Sequence, residues 1–180
     1  MRALPLAATA LVAALTLTAC SDSDGGDGGG NGDGDTGAKK AGSACVLDEM
    51  GVQVGPANAA PAAGDTGNVP ITITNKSGAK CTLDGLPAVD LSTGPDSATV
   101  EPDEAVVKTK TTLAKGGVTS FTLTYVRAEA GDGLAVKTAR FFLPGSTKAY
   151  DFKWSYGEVA LKKDGQTPDA SVSGFQQSFD

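Results

Sequence analysis

The chain has 180 residues, a formal net charge of −6 and a hydrophobic content of 40%. This length and composition fit one folded domain once terminal tails are removed. Phosphate binding needs clustered lysine and arginine, so 15 basic against 21 acidic side chains argue against a nucleic-acid partner. Histidine is absent, which excludes Ser–His–Asp and Cys–His nucleophile systems, histidine-ligated zinc or copper, and histidine pH sensing.

Residues 1–19 have the pattern of a secretory signal peptide. A positive start at Arg2 precedes the apolar run Ala3–Thr16, which is much shorter than a bilayer-spanning helix. The run ends in Leu17-Thr18-Ala19-Cys20, which resembles the bacterial lipobox. That resemblance implies cleavage before Cys20 and transfer to its sulfur of a diacylglycerol, which carries palmitate-type chains. Two or more chains would hold the protein durably on the extracytoplasmic face of the cell membrane. An ordinary signal peptide with an incidental Cys20 is the alternative.

Residues 20–44 begin at the lipidated cysteine and are dominated by glycine and aspartate. Glycine gives flexibility and like charges repel one another, so this segment is predicted to be a flexible linker. A calcium site is the alternative, because acidic residues alternate with glycine between Asp27 and Asp35. An EF-hand loop starting at Asn31 would need glycine at its sixth position and glutamate at its twelfth. Those positions hold Thr36 and Gly42, so we favour a linker.

Short segments with the two-residue alternation of β-strands fill residues 45–180. The stretches VPITITN (69–75), VTSFTLTY (118–125) and YDFKW (150–154) place apolar side chains on one face and mostly polar ones on the other. Further strands are predicted at Gly51–Val54, Ala88–Ser92, Ala105–Thr111, Thr138–Leu143 and Val172–Phe179, with a helical or irregular turn near Asp84–Leu86. About eight short strands predict an all-β fold, an antiparallel immunoglobulin-like β-sandwich. A closed barrel is the alternative.

Two cysteines, Cys45 and Cys81, lie on either side of the first predicted strands. Two remaining thiols in an exported protein usually pair. Two thiolates without histidine or a second cysteine pair are too few ligands for a metal, and a redox role needs C-x-x-C spacing. We therefore predict a structural disulfide.

The segment NVPITITNKSGAKCTLDGLPAVDL (68–91) resembles a domain of unknown function common in actinobacterial exported proteins and lipoproteins. The shared pattern is an early cysteine, a strand ending in TN-x-S/G, then C-T-L-x-G-x-P and an apolar strand. Here these elements are Cys45, Thr74–Gly78, Cys81–Pro87, and Val89 with Leu91. The resemblance implies a secreted sandwich in which Cys45 is joined to Cys81, and it supplies no catalytic residues. The usual aromatic residue before the proline is Leu86 here.

Carboxylate pairs are the only catalytic groups that the composition leaves, as in glycoside hydrolysis. Glu101, Asp103 and Glu104 form an acidic group with the composition of a solvated loop. Asp151 and Glu158 flank the aromatic stretch, and each is ordinary for an exposed strand position. No catalytic residue, metal site or cofactor is therefore predicted.

The alternating aromatic residues of YDFKWSY have two interpretations. Alternation favours core positions for Tyr150, Phe152 and Trp154. If Trp154 and Tyr156 were exposed together, they would form a candidate ligand platform of the kind that binds carbohydrate or peptide. The leading hypothesis is a membrane-anchored binding or interaction module of the cell envelope, with a cell-wall glycan or an envelope protein as its partner. The alternative is a small carboxylate-dependent hydrolase of cell-wall glycans.

Overall fold

The computed structural model describes residues 43–177. The predicted signal peptide, the lipidation at Cys20 and most of the predicted linker lie outside the described residues. Within them the predicted all-β fold is confirmed, with eleven strands and one 3-10 turn at Leu47–Glu49. No helix in residues 43–177 has the length and apolar character needed to cross a membrane.

The strands follow one another along the chain. They are β1 (Met50–Val54), β2 (Thr66–Asn75), β3 (Cys81–Asp84), β4 (Ala88–Ser92), β5 (Ser97–Pro102), β6 (Lys110–Leu113), β7 (Val118–Val126), β8 (Thr138–Phe142), β9 (Ala149–Lys153), β10 (Ala170–Val172) and β11 (Gln176–Gln177). Nine of them form one sheet in the order β1-β2-β7-β10-β5-β4-β8-β9, with β11 also beside β7, while β3 and β6 form a second, two-stranded sheet.

The large sheet folds over a single core. Phe121 on β7 and Phe141 on β8 lie in different halves of the sheet, yet their rings meet edge to face with centroids 5.3 Å apart. All strand neighbours are antiparallel except β10 and β5, which run parallel. Strand β10 therefore joins the half β1-β2-β7 to the half β5-β4-β8-β9. An exposed ion pair between Asp48 and Lys148 links the segments just before the two end strands, β1 and β9.

Strands β2 and β7 supply much of this core because their apolar residues alternate without a break. Their six central inward residues are at most 1% exposed: Val69, Ile71, Ile73, Phe121, Leu123 and Tyr125. Burying an aliphatic or aromatic side chain of this kind stabilises a fold by about 1.5–3 kcal/mol. The intervening threonines and serines face outward, as the sequence predicts.

Pro70 lies in an interior strand, β2, although proline has no backbone N–H to donate. Its carbonyl accepts the N–H of Gly55 at 2.8 Å, so the backbone groups of Pro70 face β1. The missing N–H therefore falls just past Val54, where β1 has ended, and the ladder between β2 and β7 is not interrupted.

A β-bulge separates β10 from β11. Three residues, 173–175, lie between these strands, but only two residues of β7 lie between their partners. The extra residue reverses the alternation, so Val172 and Phe175 both point into the core. The ring of Phe175 packs edge to face against Phe121 with centroids 5.8 Å apart. The predicted continuous strand Val172–Phe179 is thus interrupted, and its last two residues lie outside the described part of the chain.

The predicted disulfide between Cys45 and Cys81 is confirmed, with Cα atoms 4.9 Å apart. Strand pairing continues around it, because the N–H of Cys45 donates to the carbonyl of Thr82 at 2.9 Å. The N–H of Thr82 in turn donates to the carbonyl of Ser43 at 3.0 Å, so two residues before Cys45 also pack on the domain.

One further predicted strand is wrong, and two of the observed strands, β3 and β5, were not predicted. The predicted strand Ala105–Thr111 is wrong over most of its length, since residues 105–109 form a loop in which Val107 is 75% exposed. Strand β3 begins with three consecutive buried residues, and β5 has a single buried residue, Val100. Neither strand shows the two-residue alternation on which the sequence prediction depends.

Candidate functional site

A groove with a volume of about 390 Å³ crosses the outward side of the sheet where β7, β10 and β5 lie together. The register places Thr124, Ser171 and Glu101 side by side on these three strands. We call this feature the β10 groove, since the short parallel strand β10 lies at its centre. Residues from the loops after β5 and before β10 complete its walls.

The β10 groove is acidic. Its lining includes four carboxylate side chains, Glu101, Asp103, Glu104 and Asp169, and one ammonium group, that of Lys162. The Lys162 Nζ atom lies 4.0 Å from Glu101 Oε2, and both side chains are well exposed, so water screens their attraction. The groove therefore favours ligands that offer hydroxyl or cationic groups to carboxylate oxygens.

Asp103 has a structural role in this lining. Its Oδ1 atom accepts the N–H of Ala105 at 2.9 Å, which shapes the loop after β5. Within residues 43–177 no three histidine, cysteine or acidic side chains are grouped so as to hold a metal ion. Asp103 is thus both part of the acidic lining and the cap of a loop.

An uncharged polar surface adjoins the groove. Its outward residues on β2, β7, β10 and β11 are Thr66, Asn68, Pro70, Thr72, Thr74, Val118, Ser120, Thr122, Thr124, Val126, Ser171 and Gln176. We call this surface the uncharged face. It shares Thr66, Thr124, Val126 and Ser171 with the lining of the groove. Beside them the Thr124 Oγ1 donates to Asn68 Oδ1 at 2.9 Å.

The aromatic residues proposed as a ligand platform form part of the core instead. Trp154 is only 5% exposed, and its ring meets Tyr125 and Tyr156 edge to face with centroids 5.0 and 4.8 Å apart. Its Nε1 donates to the carbonyl of Gly157 at 2.6 Å. The indole of Trp154 therefore lies in the core, as the alternation along β9 predicts, and Trp154 and Tyr156 are not exposed together as a ligand platform would require.

Tyr156 is half-buried beside this cluster. Burial raises the pKa of its phenol, and the neighbouring Tyr125 adds to the effect. The hydroxyl of Tyr125, fully enclosed, donates to the backbone carbonyl of Tyr156 at 3.1 Å and accepts the N–H of Ala60 at 3.3 Å. These contacts hold the residues after β9 against the core. They account for the positions of the aromatic residues without a bound ligand.

The other two acidic candidates hold local structure. Glu158 Oε2 accepts the N–H groups of Gly131 and Gly133 at 3.0 and 3.3 Å, which closes the loop after β7. Asp151 Oδ1 lies 3.5 Å from Arg140 Nε on the neighbouring strand. That contact lacks hydrogen-bond geometry, so it is an ion pair only. Neither carboxylate lines the β10 groove.

The sequence motif that carries the family resemblance builds the fold. The buried Asn75 side chain donates from Nδ2 to the carbonyls of Ala79 and Leu113 at 2.9 and 3.1 Å, and its Oδ1 accepts the N–H of Ser77 at 2.9 Å. The later Gly85 has a φ of 127°, which glycine adopts more readily than other residues. The motif thus fixes two turns, one on each side of β3.

A second cleft, of about 450 Å³, lies beside this motif. Asp84, Leu86 and Pro87 line it together with Pro102 and Pro144, so it is largely apolar. Neither cleft is predictable from the sequence, because each is assembled from segments far apart in the chain. The acidic residues around Glu101 were the only sequence signal for the β10 groove.

These observations define a disulfide-linked all-β domain with an acidic groove and no assembled metal cluster within the part of the chain described. The family described as "Domain of unknown function (DUF4232)" matches residues 45–176. The chain belongs to this family, in agreement with the resemblance at residues 68–91. No curated protein and no solved structure matches the chain.

Proposed function

We propose that the protein is a lipid-anchored binding module of the cell envelope. Acylated Cys20 holds it on the extracytoplasmic face of the membrane, and residues 21–42 extend the folded domain toward a cell-wall glycan or an envelope protein. The lipobox-like sequence before Cys20 supports the anchor. The disulfide between Cys45 and Cys81 supports an oxidising compartment outside the cytoplasm.

The observation that carries the binding role is the β10 groove with the uncharged face beside it. Hydroxyl and amide side chains both donate and accept hydrogen bonds, and carboxylates accept them strongly. A polymer rich in hydroxyl groups can therefore bond along the uncharged face and place a sugar or an ammonium group against Glu101 and Asp169 in the groove.

A hydrolase of wall glycans is the second candidate, because four carboxylates line one groove. Glycoside hydrolysis needs one carboxyl group as acid and another as base or nucleophile. Asp103 is occupied in capping its loop and Glu101 lies near Lys162, so Glu104 and Asp169 are the carboxylates left for this chemistry.

Mass spectrometry of the membrane-extracted protein tests the anchor. We expect the mature chain to begin at Cys20 with a diacylglycerol and further acyl mass on its sulfur and amino groups. A Cys20→Ser variant should leave the membrane fraction. An unmodified mature chain that begins at any other residue would contradict the anchor.

Sedimentation with purified peptidoglycan and wall glycans tests binding by the full-length protein. The double variant Glu101→Gln/Asp169→Asn removes two charged acceptors from the groove, so retention should fall by about tenfold or more. The control Asp96→Asn/Asp132→Asn removes two exposed carboxylates elsewhere and should retain the glycan. Equal retention by both double variants would refute the groove as the site, and release of wall fragments by the wild type would favour the hydrolase.

A further inference from the structure

Strand β1 forms one end of the large sheet, and among residues 43–177 it has a neighbour on one side only, β2. An unpaired strand edge presents backbone N–H and C=O groups that can pair with another strand. The register shows which groups these are. The N–H of Gly55 donates to the Pro70 carbonyl and the N–H of Lys76 donates to the Glu49 carbonyl.

Antiparallel ladders bond at alternate residues. Since residues 49 and 55 bond toward β2, the odd-numbered residues of β1 carry this ladder, and Met50, Val52 and Val54 turn their backbone groups to the open side. Met50 uses its N–H in the preceding 3-10 turn, where Leu47 accepts it. Outside the strand ladders, Val52 and Val54 make no backbone hydrogen bond with any residue from 43 to 177.

The side chains of β1 leave this edge unprotected. Its sequence, MGVQV, contains no charge and no proline, which are the usual means of blocking edge pairing. The opposite end strand differs, because β9 carries Asp151 and Lys153 at positions whose backbone groups face its open side. The two ends of the sheet are thus unequal, and only β1 suits pairing.

The same strand is complementary to itself. If two copies of β1 meet antiparallel about a two-fold axis at Val52, each Val52 pairs with its equivalent, Met50 pairs with Val54, and Gly51 pairs with Gln53. Every backbone group needed falls on the open side: two bonds join the central valines, and Val54 of each copy donates to Met50 of the other.

Charge also fits this arrangement. The chain has a net charge of −6, so two copies repel one another in most orientations. In the two-fold register Asp48 and Glu49 of one copy lie opposite Pro56 and Gly55 of the other, and no like charges face each other. The Lys76 side chain lies over Gly51, since a Cβ atom there would be 2.9 Å from Lys76 Nζ, so each copy brings one ammonium group to the seam. A seam at which no carboxylates face each other is the contact that two acidic molecules can form.

We propose that β1 pairs antiparallel with β1 of a second copy of this chain, joining the two large sheets edge to edge as a symmetric dimer. The dimer aligns the uncharged faces of the two copies along one continuous sheet. Its formation depends only on the β1 edge and does not require the groove to bind a glycan.

Capture between two tagged forms of the full-length chain, co-expressed and solubilised from the same membranes, tests this pairing without any glycan. The wild-type forms should capture each other. Gln53→Lys in both forms places two ammonium groups diagonally across the seam, each opposite the Gly51 that the Lys76 side chain of the other copy covers. This should reduce capture about tenfold or more, because charges of one sign repel at close range. Mixing a Gln53→Asp form with a Gln53→Lys form should restore capture.

The control Val107→Lys adds the same charge at a side chain that is 75% exposed in the loop after β5, and it should capture like the wild type. Peptide mapping of the Cys45–Cys81 disulfide verifies that each variant is folded. The dimer is refuted if the wild-type forms fail to capture each other. This also applies if they fail because another protein occupies β1. It is also refuted if Gln53→Lys behaves like Val107→Lys, or if mixing the Gln53→Lys form with the Gln53→Asp form does not restore capture.

Discussion

Gly67 on β2 shows how one missing side chain positions the aromatic cluster. A Cβ atom at this residue would lie 2.4 Å from Cε1 of Tyr125, the residue directly opposite on β7. The ring therefore lies against the backbone of Gly67, where its hydroxyl reaches Ala60 and Tyr156. The sequence pattern predicts an inward Tyr125, but nothing in it predicts this dependence on a glycine across the strand pair.

Gly67→Ala should lower the free energy of unfolding by about 2–3 kcal/mol, because the new methyl group displaces the Tyr125 ring and weakens its two hydrogen bonds. Urea unfolding of the full-length protein measures this. Gly78→Ala is the matched control, since a Cβ there meets no atom within 4 Å, and it should change stability by less than about 0.5 kcal/mol. Equal midpoints for the two variants would contradict this account.

Asp164 forms a compact turn with Thr167. The hydroxyl of Thr167 donates to Asp164 Oδ2 at 2.5 Å, and the backbone N–H groups of Gln166 and Thr167 donate to Oδ1. These bonds, with the Thr167 hydroxyl the largest contributor, lower the pKa of the carboxyl from 3.8 to about 2. A lowered pKa means that the ionised turn stabilises the fold above pH 3.8 and loses this contribution as pH falls through about 2.

Thr167→Val should raise the pKa of Asp164 toward 3.8, because it removes the hydroxyl donor while the backbone donors remain. Carboxyl chemical shifts followed by NMR between pH 1.5 and about 6 measure the change, a range that spans both protonation states. Thr93→Val, at a threonine in another turn, should leave this titration unchanged. A pKa that stays near 2 in Thr167→Val would show that the backbone bonds alone lower it.

At the scale of whole strands, alternation predicted the elements that build the core. β2, β7 and Ala88–Ser92 follow the sequence pattern because each has one buried and one solvated face. β3 lacks alternation since its first three residues are all buried, and a bulge changes the face of Phe175. A hydrophobic pattern predicts a strand only where one face of that strand is buried and the other is solvated.

The β10 groove could not be predicted from hydrophobic alternation, for a related reason. Its central strand has three residues and no distinctive pattern, and it pairs with β7 and β5, which lie about 45 and 70 positions earlier in the chain. Sequence alone identified the acidic residues around Glu101 but gave no sign of the surface opposite them. By contrast, the pairing of Cys45 with Cys81 followed from the resemblance and from the count of cysteines.

Matched proline substitutions test the hydrogen-bond direction of β1. Gln53→Pro removes an N–H from the ladder with β2 and should lower the free energy of unfolding by about 3 kcal/mol. Val52→Pro removes an N–H on the open side and should lower it by less than half as much. Thermal unfolding at low protein concentration compares the two variants. A Val52→Pro variant at least as unstable as Gln53→Pro would show that the assigned direction is wrong.

At the scale of the molecule, one covalent link connects the start of the domain to its second, smaller sheet. The cysteines are 36 residues apart, and closing a loop of this length stabilises a fold by about 4 kcal/mol in the chain-entropy account. The double variant Cys45→Ser/Cys81→Ser should lose about this much in urea unfolding. Wild type treated with dithiothreitol should match the variant, while untreated wild type of equal stability would contradict a stabilising role.

Strand β10 joins the two halves of the large sheet, and the chain supplies it only at residues 170–172. During synthesis the strands on both sides of this seam are made long before the strand that closes it. A nascent polypeptide in which residues 170–172 are still inside the ribosome therefore carries two unjoined half-sheets with exposed inner faces. Emergence of β10, rather than emergence of the long central strands, is the event that joins the two halves of the sheet.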